Sequence, residues 1–240
     1  MNDVLIVIPA YNEEKNIINV INDIYNHIKF ADVIVINDNS TDGTEEILKK
    51  SNINYISLPF NMGYSSALQC GFKYATKNNY KYIIQFDGDG QHKATEAKKL
   101  YDVILATSAD VVIGSRFKEK SSYKHSFFRN IGTKLFSSLI YLTCKTKISD
   151  PTTGLQILSR NVFVKYSQMG SYPEYPDANL LIEMIYSRFT ISEVQVEMSE
   201  RLFGESMHSG IIKPIKYIIK MLYSILIVYL KYNKSREAAH

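Results

Sequence analysis

The chain has 240 residues, enough for one domain of the larger kind or two small ones. Its 45% hydrophobic and 22% charged residues are the mix of an ordinary globular protein and exclude a disordered or collagen-like chain. The 28 basic and 24 acidic residues give +4, too mild for a nucleic-acid binder, and two well-separated cysteines, Cys70 and Cys144, exclude a disulfide framework or a cysteine-rich metal site.

Residues 4–8 (VLIVI) form a continuous apolar run bounded by Pro9, the signature of a buried parallel strand. The run is too short for a secretory signal. No stretch reaches the roughly 20 apolar residues that span a bilayer, so the expectation is a cytosolic chain in a reducing compartment. Asn12 is placed to cap a helix from Glu13, in which Ile17, Ile21, Ile24 and Ile28 recur at helical spacing. Residues 33–37 read as a second strand. Asp42 and Glu45 resemble a capping box opening a helix to Lys50, and 55–58 reads as a third, shorter strand. The spacing of Ala67, Gly71, Tyr74 and Ala75 predicts a helix over 63–77. A strand at 82–86, a helix at 94–107 and a strand at 111–114 follow.

This alternation implies right-handed crossovers and a mostly parallel, Rossmann-like α/β sheet flanked by helices. After Gly114 it stops. A polar loop at 118–126, a helix at 129–143, a short strand at 155–158, a helix at 178–188 and a strand at 194–198 are expected, with no linker between the halves. One domain over 1–210 is therefore proposed, followed by a C-terminal element over 211–240. On a helix, Lys213, Lys216, Lys220, Ser224 and Lys231 fall along one stripe, and nearly everything else is apolar or tyrosine. Such an amphipathic helix suits the interface of an anionic membrane. The competing reading is burial on the protein's own core or in a homo-oligomer.

Ligands of such sheets bind beyond the carboxyl ends of the strands. The residues there are polar: Tyr11-Asn12-Glu13, Asp38-Asn39-Ser40, Asp87-Gly88-Asp89 and Ser115-Arg116. FDGDGQH (86–92) is the most informative stretch. Two carboxylates flanking one glycine repel unless a cation or proton lies between them, and Mg²⁺ takes one or two carboxylates plus substrate phosphates. Gln91 adds a neutral oxygen. A solvated turn is the plain alternative. An EF-hand is excluded, because DGDGQHKATEAK has no glutamate at its twelfth position.

Five segments together resemble family 2 glycosyltransferases of the GT-A fold: IPAYNEE (8–14), INDNSTDGT (36–44), NMGYSSALQCGFKYA (61–75), QFDGDGQH (85–92) and IGSRF (113–117). DPTTGLQILSR (150–160) and EVQVEMSERLFGESM (193–207) are similar to the corresponding segments of polyprenyl-phosphate and dolichyl-phosphate sugar transferases. The resemblance implies a donor site with Pro9, Ala10, Tyr11 and Glu13 along the nucleotide, Asp38 reading the base, and Gly63 allowing close backbone approach. It implies Asp87, Asp89 and Gln91 at a Mg²⁺ or Mn²⁺ ion and the diphosphate. Arg116, Arg129 and Arg201 are implied near the diphosphate and acceptor phosphate, and Ser206 in a loop over the donor. Asp89, Asp177 and Asp150 are the candidate catalytic carboxylates, with Asp150 near the sugar or acceptor. Asp177 also reads as a helix N-cap after Pro176. The chain departs from the family at Asn37, Tyr64 and Met207, where relatives carry Asp, Lys and Lys.

The implied reaction moves a sugar from a nucleotide-sugar co-substrate to a polyprenyl phosphate, at the cytoplasmic face of the membrane, on which the enzyme sits peripherally. An ionised lipid phosphate needs cations to hold it, whereas a glycan hydroxyl needs a general base. The alternatives are transfer to a sugar hydroxyl in polysaccharide synthesis and a non-catalytic nucleotide-sugar-binding scaffold. A small membrane-protein partner is a further expectation and nucleic acid is not.

Overall fold

The computed structural model describes residues 2–119, 127–199 and 212–237. A seven-stranded sheet runs in the order β3-β2-β1-β4-β6-β5-β7. Its strands are β1 (Val4–Ala10), β2 (Ala31–Asn37), β3 (Tyr55–Ser57), β4 (Tyr82–Gln85), β5 (Val111–Ser115), β6 (Gln156–Ser159) and β7 (Ile191–Gln195). Pairing is parallel except where β6 lies between β4 and β5, antiparallel to both. β1 is buried at every position, as its unbroken apolar run requires.

Helices α1 (Ile17–His27), α2 (Thr44–Lys50) and α4 (Ala94–Thr107) belong to one face of the sheet, where Ile17, Val20, Ile21, Ile24, Leu48, Ala97, Leu100 and Ile104 pack on Ile6, Ile8 and Ile84. The other face carries α3 (Tyr64–Lys77), α5 (Phe127–Cys144), α6 (Arg160–Tyr166), α7 (Ala178–Tyr186) and α8 (Ile212–Glu237) over Leu5, Val7, Ile83 and Ile113. Gly71 lets α3 lie directly on β1, since a Cβ there would run into the Val7 side chain. Met221 and Ile225 of α8 join this second core, so the C-terminal helix is integrated with the domain.

Three expectations are corrected. Asn12 does not cap a helix: it has φ 57°, its side chain accepts the Thr41 N–H, and α1 begins at Ile17. Glu45 does not close a capping box but pairs with Lys49, while Asp42 accepts the Thr44 N–H at 2.9 Å. The last strand lies at 191–195, three residues earlier than expected, and Met198 forms only an isolated antiparallel bridge to His92. Helix α6 was not foreseen; it follows β6 without an intervening loop, so its apolar residues merged with the strand's pattern.

Candidate active site

The carboxyl ends of β1, β2 and β4 lie side by side. Loop 11–14 after β1 is tied to loop 40–44 after β2. Asn12 N–H donates to Ser40 Oγ at 3.0 Å, Glu13 N–H to Thr44 Oγ1 at 2.9 Å, and Glu14 Oε2 accepts the Gly43 N–H at 2.8 Å. Glu13 also accepts from Asn16 at 2.7 Å. Pro9 and Ala10 are the last residues of β1 and are buried, whereas Tyr11 is exposed at their end.

Asp38 is buried at the end of β2. Its backbone N–H donates to Ala10, and its carboxylate accepts the N–H groups of Met62 and Gly63 at 2.7 and 2.8 Å. Gly63, at φ +86°, is the N-cap of α3 and requires the conformational freedom of glycine. Asp38 thus shapes the 62–63 backbone, beside the exposed side chains of Phe60 and Met62. Asn37 bridges two neighbours, its amide donating to Ser57 Oγ at 3.0 Å and its carbonyl oxygen accepting the Ser40 N–H at 3.1 Å.

Asp87 follows β4 and is approached from three elements. Tyr64, the first residue of α3, donates its hydroxyl to Asp87 Oδ1 at 3.0 Å. The ring of buried His92 brings Nε2 to 3.3 Å from Oδ2. Gly154, just before β6, leaves room for the carboxylate, because a Cβ there would collide with Oδ2 and lie 3.0 Å from Cγ. Burial, and then the negative charge of Asp87, hold the Tyr64 phenol well above its ordinary pKa, so it stays a donor. Asp89 is buried and accepts the Gln91 N–H at 3.0 Å, which closes the turn. The Gln91 backbone and side chain both reach Ser199, pinning the segment after β7 against this turn.

Arg116 and Asp150 form a buried bidentate pair. Nε and Nη2 reach the two carboxylate oxygens at 2.6 and 2.7 Å, and the Arg116 N–H adds a third bond at 3.0 Å. Nη2 also donates to Thr152 Oγ1 at 3.0 Å. Asp150 has no exposed surface.

Asp177 precedes α7 and is partly exposed. Its side chain does not cap that helix; instead it accepts the Tyr217 hydroxyl of α8 at 2.6 Å. Burial pushes its pKa up to about 6, Tyr217 opposes this, and the charges of Asp150 and Asp87 add to the rise while Arg116 resists it. Asp177 is thus electrostatically within the same site as Asp87, Asp150 and Arg116.

The backbone of Arg129 lies in the first turn of α5. Arg201 and Ser206 lie outside the described residues. Sequence reasoning did not single out Gly154 and Tyr217, and it noted Tyr64 only as a departure. Gly154 stood in DPTTG as a turn glycine, and Tyr217 was one of many tyrosines on an amphipathic stripe.

The site is thus a set of carboxylates at the strand ends of a mixed, mostly parallel α/β sheet. The profile described as Glycosyl transferase family 2 matches residues 5–167, and the chain belongs to that family; it is a glycosyltransferase. Among curated relatives, it is 27% identical over 213 residues to the UDP-N-acetylglucosamine–dolichyl-phosphate N-acetylglucosaminyltransferase of Methanococcus voltae, covering 81% of this chain and 84% of that one. It is 25% identical to the polyprenol monophosphomannose synthase of Mycolicibacterium smegmatis, over 86% and 81% of the two chains. A solved structure of glucosyl-3-phosphoglycerate synthase from Mycobacterium tuberculosis, in complex with Mn²⁺ and UDP-glucose, superposes with a TM-score of 0.69. It has 18% identity and covers 94% of this chain and 78% of that one, a likeness of fold.

Proposed function

We propose that this glycosyltransferase moves a sugar from a nucleotide-sugar donor to a polyprenyl phosphate at the cytoplasmic membrane surface, with a divalent cation. The carrying observation is the Asp87–Gly88–Asp89 turn at the end of β4, with its carboxylates backed by Tyr64, Gly154 and the Gln91 N–H. Two relatives named for dolichyl- or polyprenol-linked transfer, and a fold neighbour solved with Mn²⁺ and a UDP-sugar, support the reading.

The residues fit such an ion. Gly154 admits the Asp87 carboxylate where any Cβ would collide with it, and the side chains of Asp87, Asp89 and Gln91 all offer oxygen. Among the described residues, no three His, Cys, Asp or Glu side chains form a dedicated cage, and an ion that shares its shell with substrate phosphates needs none. When bound, it supplies positive charge to the departing diphosphate.

The chain's own residues do the rest. Pro9, Ala10, Tyr11 and Glu13 line the nucleotide, and Asp38 shapes the 62–63 backbone along it. Arg116 and Asp150 act as one rigid unit beside the sugar, Arg116 taking its place through Asp150. Arg129, Arg201 and Ser206 are assigned to the phosphates from sequence alone. A lipid phosphate is ionised at neutral pH and attacks without a base. A second reading, transfer to a glycan hydroxyl, is favoured by one observation: Asp177 is partly exposed, does not cap its helix and has a pKa raised to about 6, as a general base would need.

The outward face of α8 supports membrane seating. Ile215, Ile219, Leu222, Tyr223, Leu226 and Leu230 are exposed along it. Among the described residues no helix is long and apolar enough to cross a bilayer.

A thermal-shift screen of nucleoside diphosphates with and without Mn²⁺ tests the donor side, since a ligand at 100 times its Kd adds about 2.7 kcal/mol. Asp89→Ala should still fold, with a melting temperature lowered by the loss of its bond to the Gln91 N–H, and lose turnover by orders of magnitude, measured as lipid-linked sugar formed from the donor that the screen selects. Near-normal turnover in a folded variant would refute the site.

A further inference from the structure

We propose that Tyr64 is a positioning residue for the cation-holding carboxylate: its hydroxyl and the Gly154 backbone clamp Asp87 between them and fix the orientation of its carboxylate. The inference rests on the reading of Asp87 as a ligand of the divalent ion.

The argument begins with what holds a carboxylate at a strand end. Asp87 stands one residue beyond Phe86, where the β4 ladder has ended, so sheet pairing no longer fixes its backbone. Rotation about χ1 and χ2 would swing its two oxygens through a wide arc. Contacts from other parts of the chain restrict that arc, the His92 ring at 3.3 Å from Oδ2 among them. Tyr64 reaches from the start of α3, 23 residues away in sequence, and donates to Oδ1 at 3.0 Å. Gly154 closes the opposite side, so tightly that any Cβ would have to displace the carboxylate.

The chemical type of the donor matters. A phenol at neutral pH carries no charge and offers one proton, so it orients a carboxylate without cancelling the negative charge that attracts a cation. An ammonium in the same place would do both. The hydroxyl engages Oδ1, and each carboxylate oxygen has a second lone pair for a metal. Partners of this kind orient a metal's ligands, and removing one typically costs 10- to 100-fold in affinity or activity. Tyr64 is held in turn by its position as the first residue of α3, directly after the Gly63 cap whose N–H is bound by Asp38. The nucleotide-side loop and the cation-side carboxylate are therefore linked through two consecutive residues.

The test uses the full chain and reads metal binding directly. The Mn²⁺ concentration that gives half the maximal thermal shift is measured at a fixed, saturating concentration of uridine diphosphate. The parent, Tyr64→Phe, Gly154→Ala and Asp87→Asn are compared. Tyr64→Phe should raise the half-saturating Mn²⁺ by roughly 10- to 100-fold, while its metal-free melting temperature stays near the parent's. Turnover should recover to within a few-fold of the parent at saturating Mn²⁺, because the hydroxyl touches no reacting atom. Gly154→Ala pushes on the same carboxylate from the other side without touching the hydroxyl, and should shift the same quantity in the same direction. An unchanged half-saturation in Tyr64→Phe, with Mn²⁺ response lost in Asp87→Asn, overturns the positioning role. An unchanged response in Asp87→Asn overturns the cation reading itself. If Tyr64→Phe melts well below the parent without metal, Gly154→Ala decides the clamp, and an unchanged Mn²⁺ response there overturns it.

Discussion

Asp177 sits where a helix N-cap belongs, yet its carboxylate turns to Tyr217 on another helix. The burial of that carboxylate has a measurable consequence, although the Tyr217 hydroxyl opposes it. Its pKa rises from an ordinary 3.8 to about 6, so the folded chain holds the proton more tightly than the unfolded one. The resulting stability is fully present below about pH 4 and drains away as the pH rises through about 6. At 1.36 kcal/mol per unit this is at most about 3 kcal/mol. Urea denaturation of the parent and Asp177→Asn across pH 4 to 7 should show the parent losing stability relative to the variant over that window; parallel curves would contradict it. The same variant separates acceptors. Retained turnover favours an ionised phosphate, and loss favours a hydroxyl that needs Asp177 as base. At this scale the sequence exposed Asp87 and Asp89, because both stand in one turn after one strand. It did not expose Tyr217, because 40 residues and a change of helix separate it from its partner.

The strands that carry the site are joined by one buried ion pair. Arg116 follows β5 and Asp150 precedes β6, so their bidentate contact fastens two antiparallel neighbours at one end of the sheet. Arg116→Ala leaves a carboxylate with no exposed surface unpaired, and breaking such pairs costs about 3–5 kcal/mol. Chemical denaturation should show a loss of this size, and a loss below about 1 kcal/mol would mean that solvent reaches Asp150. Arg116→Lys should recover only part of it, since an ammonium cannot reproduce the planar fork. The elements of the first half were legible because apolar runs and helical stripes alternate cleanly there. In the second half, β6 runs directly into α6, and β7 mixes Ser192, Glu193 and Gln195 with two apolar residues. Periodicity therefore placed the last strand three residues late. Asn12 misled for another reason: its side chain bonds across to Thr41, a choice open to asparagine but invisible in local pattern.

For the whole molecule, α8 decides how the protein meets its surroundings. Part of the stripe of Lys and Ser read from sequence is engaged by the protein's own side chains. Ser224 accepts from Asn179 at 2.7 Å, and Lys220 and Lys231 pair with Glu174 and Glu183. Ile215, Ile219, Leu222, Tyr223, Leu226 and Leu230 are exposed. Removing the helix would also remove Met221 and Ile225 from the core and Tyr217 from Asp177, so truncation is a poor test of membrane seating. Replacing Ile219, Tyr223 and Leu226 by serine spares those contacts. Sedimentation with anionic vesicles should show binding falling severalfold in that variant with the melting temperature unchanged. Equal pelleting of parent and variant would remove α8 from the interface.

If α8 seats the protein on lipid, its ion-paired lysines also determine how the protein would be detached. Proteins that adhere to lipid through ammonium groups come off in concentrated salt, because counter-ions compete for the headgroups. Here two of those groups are paired with glutamates of the same chain, and Ile219, Tyr223 and Leu226 are exposed on the same helix. A brine wash should therefore leave the enzyme in the membrane fraction, whereas a mild detergent should lift it away.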